Sequence, residues 1–139
     1  MSAECVTRFR VRYSETDQMG TFYNSRPLEW FECGRTELLR AMGVPYAQME
    51  HRGVLLPLIE AHCEYLGRAR YDDELEMVTR ISGLGRARLR FDVDISHAAG
   101  GGQVVRGYTV HAVTDPAGHP CRPPGWLAQA LARVEEPSQ

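Results

Sequence analysis

No stretch of this sequence approaches the roughly 20 consecutive apolar residues of a membrane span. Residues 1 to 13 carry Glu4, Arg8, Arg10 and Arg12 and hold no apolar segment of the secretory kind, so the expected compartment is the cytoplasm. An excess of one charge is also missing. A formal net charge of −2 over 139 residues gives no reason to expect nucleic acid or an anionic membrane as partner. Cysteine is sparse and unclustered. Cys5, Cys33, Cys63 and Cys121 form no C-x-x-C pair and read as reduced thiols, mostly in the core. The histidines His51, His62, His97, His111 and His119 show no H-x-x-x-H spacing, so no metal site is expected. Internal repeats and low-complexity segments are absent as well.

What remains is an ordinary globular composition, 43% hydrophobic and 24% charged. The length suits one domain over residues 1–139, large enough to bury a core without disulfides or metal.

The hydrophobic pattern predicts the elements. Residues 6 to 13 alternate, with Phe9, Val11 and Tyr13 opposing Arg8, Arg10 and Arg12, as in a half-buried strand. The polar segment 14–20 ends in Gly20 and reads as a loop. Leu28, Phe31, Leu38, Leu39 and Met42 fall near helical spacing and predict a helix over 25–42. Asn24 or Ser25 would cap it, Pro27 is tolerable in its first turn, and Gly43 with Pro45 would end it. A helical turn is expected at 46–51. Strands are expected at 54–66, 74–82, 86–96 and 103–114, a turn at 115–118, a short helix at 126–134 and a frayed end at 135–139. One long helix with consecutive strands implies an α+β class, the helix buried on one face of an antiparallel sheet.

Two segments carry more than pattern. Asp17-Gln18-Met19-Gly20 follows the first strand, and Tyr23 comes just before the helix segment Trp30-Phe31-Glu32-Cys33-Gly34-Arg35-Thr36-Glu37. Farther on stands Ala69-Arg70-Tyr71-Asp72-Asp73-Glu74-Leu75-Glu76. In order and spacing these resemble the 4-hydroxybenzoyl-CoA thioesterase-like family of hotdog-fold acyl-CoA thioesterases, with its D-x-x-G loop and A-x-Y-D-D-x-L segment. Arg26-Pro27 departs from the small residue and aromatic common in relatives, which bears on substrate choice more than on reaction class.

The resemblance implies a hotdog fold, a long central helix wrapped by an antiparallel sheet of five or so strands. It implies hydrolysis of acyl-CoA without a cofactor, in a homodimer or homotetramer, with Asp17 as nucleophile or general base. Helix N-termini present free N–H groups, so the amides of Tyr23 and Asn24 are candidates to hold the thioester oxygen. Leu56, in the apolar run Val54-Leu55-Leu56-Pro57-Leu58, is expected to line an acyl pocket across a subunit interface, and that run suggests an apolar acyl group. Arg86 and Arg88 are candidates for the CoA phosphates, because guanidinium matches phosphate geometry. Against these stand plainer readings. Asp17 could be a loop-capping residue, and Arg86, Arg88 and Arg90 a solvated face balanced by Asp92 and Asp94. Glu15 reads as a solvated loop residue, Asp72-Asp73 as a turn leading into a strand, and His62, which beside Glu60 and Glu64 could be a base, as a solvated or hydrogen-bonded histidine. An acyl carrier protein thioesterase and a non-catalytic acyl-CoA-binding protein remain alternative functions. A hydratase fits less well, since position 22, where a D-x-x-x-x-H dyad would place histidine, is Phe22.

Overall fold

Five strands pair antiparallel throughout in the order β1-β3-β4-β5-β2. These are β1 (Glu4–Arg10), β2 (Leu58–Tyr65), β3 (Glu74–Gly83), β4 (Arg88–His97) and β5 (Gln103–Ala112). Three helices accompany them: α1 (Arg26–Ala41), α2 (Tyr46–His51) and α3 (Gly125–Glu135). The computed structural model describes residues 4–135; of the frayed end expected at 135–139, Glu135 instead closes α3 and 136–139 lie outside the described residues.

Helix α1 lies on one face of the sheet and buries Pro27, Trp30, Phe31, Gly34, Leu38 and Leu39. Two places require glycine. A Cβ at Gly34 would strike the Thr79 hydroxyl of β3. A Cβ at Gly107 would strike the His62 carbonyl and stand 2.9 Å from the Phe31 ring. Helix and sheet therefore approach backbone to backbone along this line, which holds α1 in one position over β3 and β5.

The sheet's core face alternates as period two requires. Leu75, Met77, Thr79 and Ile81 of β3 and Leu89, Phe91, Val93 and Ile95 of β4 are buried. Its other face is charged, with Arg80 bridging Glu4 and Asp94, and Arg8 reaching Glu76.

Four expectations need correction. The first strand stops at Arg10, because a 3₁₀ turn at Tyr13–Glu15 takes the chain off the sheet. Val11 stays buried, but Tyr13 swings out, 77% exposed, to meet the edge of the Tyr71 ring. Leu28 does not join the helix stripe and is exposed, since Pro27 takes the inward position. Ser25 makes no side-chain cap; the first turn is closed by the Arg26 amide on the Tyr23 carbonyl at 3.0 Å. The 54–66 run divides. Val54 and Leu56 are buried ahead of β2, and β2 itself lies at the sheet edge with Leu58 and Ile59 about half exposed. The thiols are free, with Cys5, Cys63 and Cys121 packed against the core clusters and Cys33 exposed on α1.

Candidate active site

Asp17 sits in a tight loop between the 3₁₀ turn and α1. Its amide donates to the Thr21 carbonyl at 2.9 Å, its carbonyl accepts from the Gly20 amide at 3.1 Å, and Gly20 turns with φ +81°. Carboxylate Oδ1 accepts the Met19 amide at 2.8 Å. Oδ2 has no hydrogen-bond partner among the described residues. One oxygen thus fixes the loop in the way a capping aspartate does, and the other is unengaged among the described residues. The carboxylate faces an open groove of about 550 Å³ shared with Tyr13, Arg70 and Tyr71. Asp72 and Asp73 form the expected turn. Asp73 Oδ2 accepts the Arg70 amide, and Asp72 has φ +69°.

Glu15 is not a solvated loop residue. It is 2% exposed. Oε1 accepts the Arg12 amide at 2.8 Å; Oε2 accepts the Trp30 indole N–H at 2.8 Å and the Arg12 guanidinium at 3.3 Å. Its carbonyl accepts the Tyr23 amide at 2.8 Å. Burial alone would raise the carboxyl pKa, but these donors outweigh it and hold the group below its ordinary value. Glu15 therefore ties the chain two residues before Asp17 to α1 and to the segment leading into it. A signal was present in the sequence: Glu15 stands three residues after Arg12, the spacing at which a carboxylate reaches back to an amide at a helix start.

The same contacts narrow the candidate oxyanion donors. The Tyr23 amide is committed to Glu15, whereas the Asn24 amide has no partner among the described residues. Asn24 lines a second groove, of about 300 Å³, with Phe22 and Tyr65, and its carbonyl accepts the Tyr65 hydroxyl. The ring of Tyr65 stacks on Phe22.

Leu56 lines a third cavity, of about 210 Å³, between the middle of α1, α2 and the sheet. The wall is mixed. Leu39, Leu56 and Phe91 are apolar; Arg35, Tyr46 and His111 are not. His111 is satisfied internally, with Nδ1 bonded to the Leu56 carbonyl at 2.9 Å and Nε2 to the Thr109 hydroxyl at 3.0 Å. Burial first, and the neighbouring Arg35 charge, push its pKa below the usual histidine range, while the Leu56 bond works the other way. Arg35 was not singled out from the sequence. Its place between Phe31 and Leu39 at i+4 spacing, a charge on the buried stripe, was the available sign.

The arginine row splits. Arg90 is bonded to Asp92 and lies 3.9 Å from the Tyr108 ring centre. Arg86 and Arg88, exposed at the β3–β4 hairpin, make no ion pair among the described residues. His62 is exposed, stacked on Tyr108 and bonded to Glu64. Within one chain, then, Asp17, Asn24 and Leu56 line three separate cavities.

Comparison with known proteins bears on this arrangement. The family model described as the thioesterase-like superfamily matches residues 11–131. The chain belongs to that superfamily. This superfamily member is 36% identical over 90 residues to YneP of Bacillus subtilis, a protein provisionally assigned as an acyl-CoA thioesterase. That match covers 65% of this chain and 65% of YneP, so it spans just under two thirds of that relative's length. The acyl-CoA thioester hydrolase YbgC of Escherichia coli is 32% identical over 89 residues, 64% of this chain and 66% of YbgC. The crystal structure of Slr0204, a 1,4-dihydroxy-2-naphthoyl-CoA thioesterase from Synechocystis, superposes with a TM-score of 0.87. It shares 20% identity, with 96% of this chain and 99% of that one covered. At that identity the likeness speaks to the fold, and the thioesterase-like chain has the expected hotdog architecture.

Proposed function

We propose that the protein hydrolyses acyl-CoA thioesters to free acid and CoA, in the cytoplasm, as at least a homodimer. The observation that carries this is Asp17. One carboxylate oxygen is tied into its loop, the other is free, and an unengaged helix-start amide at Asn24 lies seven residues on. The family membership and the names of YneP and YbgC support the same activity.

In the general-base form, Asp17 takes a proton from water and the resulting hydroxide adds to the thioester carbon. The carbonyl oxygen gains negative charge, which the Asn24 amide stabilises; one such donor contributes on the order of 100- to 1000-fold. Collapse of the tetrahedral intermediate expels the CoA thiolate, and the proton held by Asp17 goes to the sulfur. In the nucleophilic form Asp17 attacks directly, giving a mixed anhydride that water then cleaves. Neither form needs a cofactor. Because Leu56 lines a cavity apart from the Asp17 loop and the Asn24 amide of the same chain, the complete site would draw on a second copy. The partner would set its Leu56 cavity against this chain's Asp17. Leu56 then contacts the acyl group, Tyr23 borders the site with its ring, and Arg86 and Arg88 hold CoA phosphates.

The test is steady-state turnover of short-chain, medium-chain and aryl acyl-CoAs by the wild-type protein and Asp17→Asn, following released thiol. Wild-type turnover lost in the folded variant supports the proposal. No turnover of any acyl-CoA refutes it, and turnover confined to acyl carrier protein thioesters moves the activity to that substrate. Repeated turnover in ¹⁸O-water tests the nucleophilic form: label incorporated into the Asp17 carboxylate indicates the anhydride.

A further inference from the structure

The Leu56 cavity holds hydrogen-bond donors with nothing to receive them. Arg35 is half-buried on the side of α1 that lines the cavity, and burial lowers its pKa while the charge of Glu32 acts the other way. Yet its guanidinium makes no hydrogen bond and no ion pair within 4 Å among the described residues. The Tyr46 hydroxyl oxygen is approached by the Leu56 amide at 3.4 Å, but its own proton has no acceptor there. The Thr36 hydroxyl, on the same wall, is also without a partner among the described residues.

A partly desolvated cation with no acceptor in contact is costly, and such charges are ordinarily paired. Candidate acceptors inside the protein do not meet the need. His111 uses both ring nitrogens internally. Glu32, one turn back on α1, is exposed; its charge acts on Arg35 through space, but it makes no ion pair with it within 4 Å. The remaining wall, Leu39, Leu56 and Phe91, suits a short methylene chain. A cavity with an apolar wall and three free donors, one of them positive, matches a chain that ends in an acceptor-rich anion.

We propose that this cavity takes acyl groups whose far end is a carboxylate, with Arg35 as its counterion and Tyr46 and Thr36 as supporting donors. The substrates favoured would be CoA monothioesters of short dicarboxylic acids. The inference rests on the thioesterase function above for its reaction and supplies the substrate class. It amends the sequence-based expectation of an apolar acyl group, which considered the leucines without Arg35.

The test uses thioethers of CoA, which bind but cannot be hydrolysed. Three carry chains of equal length ending in a carboxylate, a hydroxyl or a methyl group. Calorimetric affinities are measured for the wild-type protein and for Arg35→Met, with circular dichroism confirming that the variant folds. The wild-type protein is expected to bind the carboxylate form at least about tenfold tighter than the methyl form, as a charge-assisted hydrogen bond implies. Arg35→Met should erase that preference, and Arg35→Lys should restore part of it. Equal affinity for the three thioethers, or a preference that persists in Arg35→Met, overturns the proposal. So does a hydroxyl form bound as tightly as the carboxylate form. If Arg35→Met does not fold, the wild-type affinities and Arg35→Lys decide the matter on the same criteria. Thioether discrimination without hydrolysis of any thioester would sink the thioesterase function and leave this binding site standing.

Discussion

The indole N–H of Trp30 donates to Glu15 at 2.8 Å, joining the first turns of α1 to the loop that carries Asp17. With the Tyr23 amide on the Glu15 carbonyl, the loop and the helix start form one unit. The carboxylate proposed for chemistry and the amide proposed for the oxyanion are therefore fixed relative to each other by a residue that does neither job.

Asp17→Asn should leave the fold intact, because an amide oxygen can still accept the Met19 N–H. We expect kcat to fall at least about 100-fold, the low end of general acid–base contributions. Thiol release, with circular dichroism as the folding control, reads this out, and near-normal kcat in a folded variant would refute the assignment.

Glu15→Gln should behave differently. A carboxamide that kept the bond from the Arg12 amide would turn its NH₂ group towards both the indole N–H and the guanidinium. Arg12 is mostly exposed and its ion pair contributes little. The buried bond to Trp30 matters more, and we expect a loss of about 1–3 kcal/mol in urea unfolding, with a lower kcat as the loop loosens. The pH dependence follows from the lowered carboxyl pKa. Its stabilisation is fully present above the ordinary value of 4.5 and is lost as pH falls through the lower folded value. In Glu15→Gln that component of the acid-side slope should be missing; an unchanged stability and slope would return Glu15 to a surface role.

Replacing Arg86 and Arg88 together with alanine should raise KM for acyl-CoA severalfold, leave kcat nearly as it was and weaken the salt dependence of KM. A KM that does not move for several acyl-CoAs would make them part of a solvated face.

Strand β2 is an edge with Leu58 and Ile59 about half exposed, open to pairing with a second copy. Light scattering of the wild-type protein should give a dimer or a tetramer built from dimers. Ile59→Lys should shift it towards monomer and reduce activity in parallel, and a fully active wild-type monomer would contradict an intersubunit site.

Much of the fold was legible because period is a local property. The β4 alternation through Leu89, Phe91, Val93 and Ile95 and the α1 stripe from Phe31 to Leu39 are repeated along the chain, so they can be read without knowing what they face. The failures share a cause. Glu15, Tyr13 and Leu28 each sit where one element hands over to the next, and there burial depends on contacts distant in sequence, Glu15 with Trp30 and Tyr13 with Tyr71. The Asp17 loop could be found from its motif, but the commitment of the Tyr23 amide could not, since the residue that occupies it lies eight positions back and only the folded loop brings it near.

The layout along α1 has a consequence for how such a protein can change over generations. Its first turns face the Asp17 loop, while Arg35, Thr36 and Leu39, two to three turns later, face the Leu56 cavity. Mutations that reshape the cavity need not disturb the loop, and the Gly34 contact with Thr79 stands between the two regions as a fixed divider. If the cavity takes the acyl group as proposed, a lineage could exchange one acyl group for another by drift at a few helix positions while the proposed catalytic loop stayed under constant selection.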